Sequence, residues 1–394
     1  MQFVTDFYSN VEMKHKKILI FLLFLPFVYS INIPGGNIDF IDDFFTIARV
    51  ICAFIIVFVF FFIKKKKPSK LVLIIFVMEL WQLFTTLLTN HKWVVSIYDL
   101  CACVAVPLLI ELYKDDARTM LSVFMLCFEI QLYPNLFTLL FKTGVDGRGI
   151  GWYILGAHNM LATMLLPAAG VAIVYFGFAE KKIRPALLLA TAIISCFICE
   201  CSTAEVAMAG AIGVFVVGYL LRNKFEIPLW LLFAVALFGC FFVIFAFADT
   251  DIPFLKDFIV NILHRDVTFT GRTYIWGYGV SMVKESPILG HGYRTLVNIS
   301  PETLVGHAHN YPLDKAVTGG MPMLVLVILM HIELIRGSMK QKNTIYKIAL
   351  TGLLFGIFLT YMTESYFRFY RFLIVFALMY NLDTILGNKI KEEN

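Results

Sequence analysis

Residues 50–63 read Val50-Ile51-Cys52-Ala53-Phe54-Ile55-Ile56-Val57-Phe58-Val59-Phe60-Phe61-Phe62-Ile63, and Lys64-Lys65-Lys66-Lys67-Pro68 ends them. With the residues from Phe44 onward, this run approaches the length of about 20 residues that a helix needs to cross the hydrocarbon layer. Lysines stop it where headgroups would begin, and each gains about 1 kcal/mol against anionic lipid. The cluster is a topology anchor and needs no other function.

The rest of the chain repeats this pattern. Of its 394 residues, 59% are hydrophobic, 15% aromatic and only 15% charged, with a mean hydropathy of +0.79. Soluble domains hold roughly 45–50% apolar and about 25% charged residues, so these side chains cannot all be hidden inside a wetted globule. Apolar segments bounded by charge fall at 18–33, 44–63, 71–89, 93–113, 119–141, 152–178, 185–201, 204–221, 227–247, 321–335, 345–365 and 372–388. They predict an all-α integral membrane protein of about 12 transmembrane helices with one long extracytoplasmic loop containing short helices. The turn near Glu200 to Glu205 must then be tight. Tyr29 to Pro34 offers no small-residue cleavage pattern, so the first segment is expected to be retained as a span. Lys64–Lys67, Lys181, Lys182, Arg184, Arg222, Lys224, Arg336, Lys340, Lys342, Lys389 and Lys391 fall in alternate loops, which predicts both termini on the cytoplasmic side.

Several function classes drop out. The net charge of +5 is the small difference of 33 basic and 28 acidic residues, and the basic ones cluster at span ends, so no nucleic-acid partner is expected. All eight cysteines lie in apolar stretches rather than in a polar loop, which argues against a disulfide framework. Cys196, Cys199 and Cys201 lack a nearby histidine and suit packing better than metal. A secondary transporter is compatible with the spans and with the intramembrane Glu79, Asp99, Glu129 and His158, but leaves the long loop unexplained.

That loop organises the chain. Residues 1–247 are expected to form an N-terminal transmembrane bundle, 248–320 the extracytoplasmic loop and 321–394 three further spans. A connection of roughly 70 residues is usually functional or disordered, and its aromatic content argues against disorder. Arg272, Trp276, Gly279 and Val283 recur on one face of a helix of about four turns, stopped by Ser286-Pro287. Such a helix on the membrane surface would set the Arg272 guanidinium at phosphate depth. Leu289-Gly290-His291-Gly292-Tyr293-Arg294 reads as a glycine-framed turn, and His307-Ala308-His309-Asn310 follows. Asn310 suits an N-cap and Pro312 is tolerated only in a first turn, so a helix is expected to begin here and run into the next span. His309 at its head, beside arginines, suits proton transfer next to a phosphate. A zinc site built on His307 and His309, with His291 or His264, lacks a carboxylate or cysteine at a convincing spacing, and no metal is expected. Glu364, near the outer end of its span, is placed to orient an arginine such as Arg368; Trp276 and the loop tyrosines are placed to stack on sugars or to form an interfacial belt.

Gly271-Arg272 with Trp276, then Ser286-Pro287-Ile288-Leu289-Gly290-His291-Gly292, then His309-Asn310 with Leu313 and Gly320, resemble the C-terminal signature of the bacterial O-antigen ligase and polysaccharide polymerase superfamily. Arg148-Gly149 with Asn159 and Ala162 resembles that family's upstream segment. Each motif is weak alone; their order from Arg148 to the C-terminus carries the likeness. Two departures stand out: Pro322-Met323 replaces a glycine, and Ser202-Thr203-Ala204 lacks the arginine often found at that span end.

The resemblance implies a metal-independent, inverting, GT-C-like glycosyltransferase without cofactor in the bacterial cytoplasmic membrane. Its partners would be an undecaprenyl-diphosphate-linked oligosaccharide, the lipid bilayer, a flippase and chain-length regulator proteins. His309 and Arg272 would be catalytic. Arg148, Arg294, Arg265, Arg368, Arg371, Asn310, Trp276, Asn159 and Glu364 would bind substrate. Polymerization of lipid-linked repeat units is the leading expectation. Ligation of finished glycan to a lipid or protein uses the same donor chemistry and remains open.

Overall fold

The structure, a computed structural model, describes residues 2–31, 38–90, 92–142, 152–249, 272–295, 297–300, 303–342 and 344–392. These residues are overwhelmingly helical: α1 Gln2–Val28, α2 Ile38–Phe58, α3 Lys70–Thr89, α4 Trp93–Tyr113, α5 Ala117–Leu140, α6 Ala162–Tyr175, α7 Ile183–Ile198, α8 Ser202–Leu221, α9 Leu229–Asp249, α10 Arg272–Glu285, α11 Tyr311–Met339, α12 Ile345–Thr360, α13 Leu373–Tyr380 and α14 Leu382–Glu392. Two short antiparallel hairpins complete them, β1 Trp152–Tyr153 with β2 Gly156–Ala157, and β3 Val297–Ser300 with β4 Thr303–Val305.

Among the described residues six helical stretches are long and apolar enough to cross a membrane: Phe40–Ile63, Lys70–Thr89, Trp93–Leu140, His158–Tyr175, Ser202–Leu221 and Tyr311–Met339. Shorter apolar helices accompany them at Ile183–Ile198, Leu229–Ile244, Ile345–Thr360 and Phe369–Tyr380. Phe40, Phe44, Ile47, Ile51, Phe54, Phe58 and Phe62 all stand exposed along α2 and its continuation. An apolar face of that extent is unstable against water and stable against lipid tails. The protein is an all-α integral membrane protein.

Three expected spans differ from the observed helices; the stretch 345–365 is helical only over Ile345–Thr360, so Glu364 lies beyond its end. The stretch 152–178 opens with the β1–β2 hairpin, and its α-helix begins only at Ala162. Side chains satisfy the backbone there: Asn135 Oδ1 accepts from Leu155 N at 3.0 Å, and Ser30 Oγ donates to Leu155 O at 3.1 Å. The stretch 372–388 is broken at Asn381, whose Nδ2 donates to Ala377 O at 3.0 Å while its Oδ1 accepts from Lys114 Nζ at 3.0 Å. The tight turn expected near Glu200 is present, with Glu200 at φ +56° between α7 and α8.

The chain divides into two compact units, residues 1–68, 101–201 and 370–394 in the first, and 69–100 and 202–369 in the second. In the first, α5, α6 and α7 pack together, and Arg184 forms a bidentate pair with Glu129 at 2.8 Å.

The second unit carries most of the sequence motifs. In it α8 and α12 pack closely because their facing residues are small. A Cβ at Gly356 would lie 2.5 Å from Ala207 O, and Gly352 has the same relation to Ala211 O. Without a hydrophobic drive between lipid-solvated helices, such backbone approach is how they gain packing energy.

α11 is not continuous. Asn310 caps it as expected, with Oδ1 accepting from Leu313 N at 3.2 Å, but Gly320 breaks it at φ +70°, ψ −173°. The glycine-framed turn after α10 inserts at the break. His291 N donates to Val317 O and Gly292 N to Thr318 O, each at 2.8 Å, while Met321 N donates to Pro287 O at 2.7 Å. From α3, Trp81 Nε1 donates to Gly319 O at 2.7 Å. The carbonyls and amide left over by the interruption are thereby satisfied without water. Gly290 is tied to the same point, since a Cβ there would stand 2.6 Å from Gly320 N. The two glycine patterns in the sequence are two halves of one junction, which fixes α10 against the head of α11.

Candidate functional site

α10 covers the four turns expected of it, with Arg272 at its first position. Its inward face seats Trp276, which is 1% exposed, among Val243, Ile244, Ile275, Met282, Ala308, Leu313 and Val317. Replacing a core aromatic of this kind by alanine costs about 3–5 kcal/mol. The indole Nε1 donates toward His309 O at 3.4 Å. Trp276 therefore holds the histidine segment from behind, and its ring faces are covered by packing rather than offered to a sugar.

That segment is pinned from several directions. Asp314, in the first turn of α11, accepts from Ala308 N at 2.9 Å through Oδ1 and from Ser365 Oγ at 2.7 Å through Oδ2. Asn310 is fully buried; its Nδ2 donates to Cys240 O at 3.1 Å and Met362 O at 3.3 Å. Tyr311 N donates to Tyr361 O at 2.9 Å. These contacts over-determine a backbone that holds His309 at φ +49°, a left-handed conformation rare for a side chain with a Cβ.

Three functional groups converge on this loop. Glu364, 1% exposed, accepts through Oε1 from Arg272 Nη2 at 2.5 Å, and its Oε2 faces His309 Nδ1 at 3.3 Å. The second contact lies at ion-pair distance without the alignment of a hydrogen bond. Burial alone would raise the Glu364 pKa, but the neighbouring His309 and the Arg272 charge outweigh it and hold the carboxyl below its usual range. With Nδ1 turned to the carboxylate, His309 keeps Nε2 for a proton from outside.

His307 completes the cluster. Its ring centroid is 3.9 Å from that of His309 and 5.1 Å from that of Phe367, on which it stands edge-on. Burial, with the His309 charge second, pulls its pKa down to about 4, so the ring is neutral at ordinary pH. Arg294, exposed and at φ +51°, sets its guanidinium carbon 4.7 Å above the Phe367 ring. One aromatic side chain thus links the arginine of the glycine-framed turn to the histidine pair.

The structure places the other expected residues as follows. Arg368 belongs to the same unit as this cluster. Asn159 lies half-buried in a turn of the first unit. Arg371 is also in the first unit, 2% exposed, donating to Tyr29 O at 2.7 Å and Phe27 O at 3.4 Å. Such a placement suits a structural brace. Arg148 and Arg265 lie outside the described residues. Ser202-Thr203-Ala204, which departs from the family pattern, reaches the cluster's edge: Thr203 Oγ1 and Thr363 Oγ1 share a 3.0 Å hydrogen bond next to Glu364. Sequence reasoning assigned no role to Asp314, Ser365 or Phe367, and considered His307 only as a metal ligand. An aspartate in the first turn after a capping asparagine was the one visible signal among them.

Donor atoms of His307, His309 and Glu364 lie within 4.8 Å of one another, and two histidines with a carboxylate form a recognised zinc donor set. The fit is partial: Arg272 already occupies Glu364 Oε1 and the His309 N–H occupies His307 Nδ1, while Glu364 Oε2 and His309 Nδ1 have no hydrogen-bond partner.

Residues 187–328 match the family model described as O-Antigen ligase. Over 98 residues the chain is 29% identical to the exopolysaccharide production protein ExoQ of Rhizobium meliloti (strain 1021), a match covering 22% of each chain. The family segment takes in α10, both histidines and the head of α11; Glu364 lies beyond it.

Proposed function

From the match of residues 187–328 to the family model described as O-Antigen ligase, we propose that this chain polymerizes a surface polysaccharide. The donor glycan is carried on undecaprenyl diphosphate and the acceptor is a sugar hydroxyl of another lipid-linked repeat unit. The observation that carries this reading is the Arg272–Glu364–His309 cluster at the head of α11.

The acceptor hydroxyl gives its proton to His309 Nε2 as its oxygen bonds the anomeric carbon from the face opposite the leaving group. The bond from that carbon to the diphosphate oxygen breaks, and its electron pair leaves with undecaprenyl diphosphate. Negative charge grows on the leaving group and positive charge on His309. Arg272 meets the first and Glu364 the second, as fixed charges in a water-poor site. Arg294, on its Phe367 platform, adds a cation for the second phosphate. Asn310, Asp314 and Trp276 keep His309 in place. The site faces the extracytoplasmic side of the bacterial cytoplasmic membrane, with both chain termini inside. The Rhizobium meliloti relative is a protein of exopolysaccharide production, which favours polymer assembly over ligation as the reading for this chain.

The test incubates purified protein with its lipid-linked repeat unit alone. A ladder of products is the expected result. A single transfer that needs an added lipid or protein acceptor would make the protein a ligase, and vesicle uptake without bond formation would make it a transporter. His309→Ala should abolish product while the protein remains in the membrane; normal product from that variant would remove His309 as the base. Activity that survives exhaustive chelation is expected, and its loss would restore a metal at His307, His309 and Glu364.

A further inference from the structure

His307 is held by a hydrogen bond as well as by ring packing. The backbone N–H of His309 donates to its Nδ1 at 3.2 Å. A ring nitrogen that accepts carries no proton, so in the neutral imidazole the proton sits on Nε2. The ring plane is fixed by Phe367 on one side and by His309 on the other. Nε2 has no hydrogen-bond partner among the described residues, although the side chain is largely enclosed. The result is a fixed N–H donor that cannot accept, 3.9 Å ring to ring from the proposed base.

We infer that His307 donates its Nε2–H to an anionic oxygen of the lipid diphosphate, acting as a neutral second donor beside Arg272 while the glycosidic bond breaks. This rests on the glycosyl-transfer reading above. The acceptor hydroxyl is the weaker choice of target, because a hydrogen bond donated to the attacking oxygen would lower its nucleophilicity. On the leaving oxygen the same bond strengthens as charge develops, which is the condition for lowering a barrier. Neutrality matters as well: a charged ring here would oppose the protonation of His309, whereas a neutral donor stabilises the diphosphate without that conflict.

The inference distinguishes His307→Gln, whose side-chain amide keeps an N–H near the position of Nε2, from His307→Ala, which keeps none. Two measurements on protein in nanodiscs separate the possibilities. In turnover, kcat should fall roughly 100-fold in His307→Ala, the scale of losing one oxyanion donor, and recover to within about 5-fold in His307→Gln with the pH profile of the wild type. In equilibrium binding of undecaprenyl diphosphate alone, His307→Ala should weaken affinity roughly 10-fold, as for a lost hydrogen bond to a charged group, and His307→Gln should restore it. Equal losses in both variants would show a merely structural ring, and wild-type kcat and affinity in His307→Ala would show no role; either overturns the inference. The binding measurement does not depend on turnover. A wild-type protein that transfers no glycan would therefore sink the proposed function separately, while the ranking of the variants for diphosphate still decides the role of His307.

Discussion

Glu364 accepts from Arg272 at 2.5 Å across 92 residues of sequence, and its second oxygen turns to His309. One buried carboxylate thereby sets both the proposed phosphate-binding cation and the proposed base. Its two roles separate by substitution. Glu364→Ala leaves the partly exposed Arg272 guanidinium without its carboxylate, a loss on the scale of one charge-assisted hydrogen bond, about 1.5–3 kcal/mol, and should lower the melting temperature and abolish turnover together. Glu364→Gln keeps the shape and a hydrogen bond but no charge. It should retain most of the thermal stability lost by the alanine variant and still lose at least about 10-fold in kcat, since the imidazolium formed during transfer loses its counter-charge. Wild-type kcat in Glu364→Gln would refute the second role.

Arg272→Lys preserves a positive charge but removes the planar fork that holds Glu364 and a phosphate at once. Donor KM should rise roughly 10-fold, the scale of one charge-assisted hydrogen bond, with a smaller effect on acceptor KM. Unchanged donor KM would mean that Arg272 acts only through Glu364.

Gly320→Ala tests the junction that fixes α10 to α11. The residue sits at φ +70°, and a Cβ would run into Ile288 O. The substitution should cost more than about 2 kcal/mol and remove activity without touching a charged group. Gly277→Ala, in α10 with open space around it, is the matching control and should be neutral or slightly stabilising. Equal behaviour of the two variants in a thermal melt would show that the junction is not under the constraint described.

The sequence made these elements unequally visible. Local chemistry announced α10, because Arg272, Trp276, Gly279 and Val283 share a face and Ser286-Pro287 ends it. It also announced the head of α11, because Asn310 and Pro312 carry their own geometric demands. The break at Gly320 has no such local cause. It exists because residues 287–292 supply partners for the interrupted backbone, and that pairing lies roughly 30 residues away. The hairpin inside the expected span 152–178 escaped for the same reason, since the groups that bond Leu155 come from Ser30 and Asn135. In sequence Glu364 reads as an acid at the outer end of its span with Arg368 as its nearest arginine, whereas it lies beyond the end of α12 and its bond goes to Arg272. The spacing of His307 and His309 reads as half of a metal motif, whereas the hydrogen bond from the His309 amide to His307 Nδ1 depends on backbone geometry that spacing does not carry.

Acid should weaken the folded protein through two of these groups, and the sign is the same for both. His307 in the folded chain has its pKa lowered from 6.5 to about 4. Between those values the unfolded chain binds a proton that the folded chain refuses, so stability is full above about 6.5 and is lost as pH falls toward about 4. Glu364 has its folded pKa lowered below the ordinary carboxylate value. Its contribution is present above that ordinary value and disappears as pH falls through the folded one, where the bond to Arg272 fails. The melting temperature of the wild type, followed by tryptophan fluorescence, should therefore decline from neutral pH to about pH 4 and continue to fall below it. His307→Gln has no ring to protonate and should flatten the upper part of that decline while leaving the lower part. Glu364→Gln should do the reverse. A His307→Gln curve parallel to the wild type between pH 6.5 and 4 would show that the ring accepts its proton as readily in the folded chain as in the unfolded one, and would remove the enclosed neutral imidazole on which the role of His307 depends.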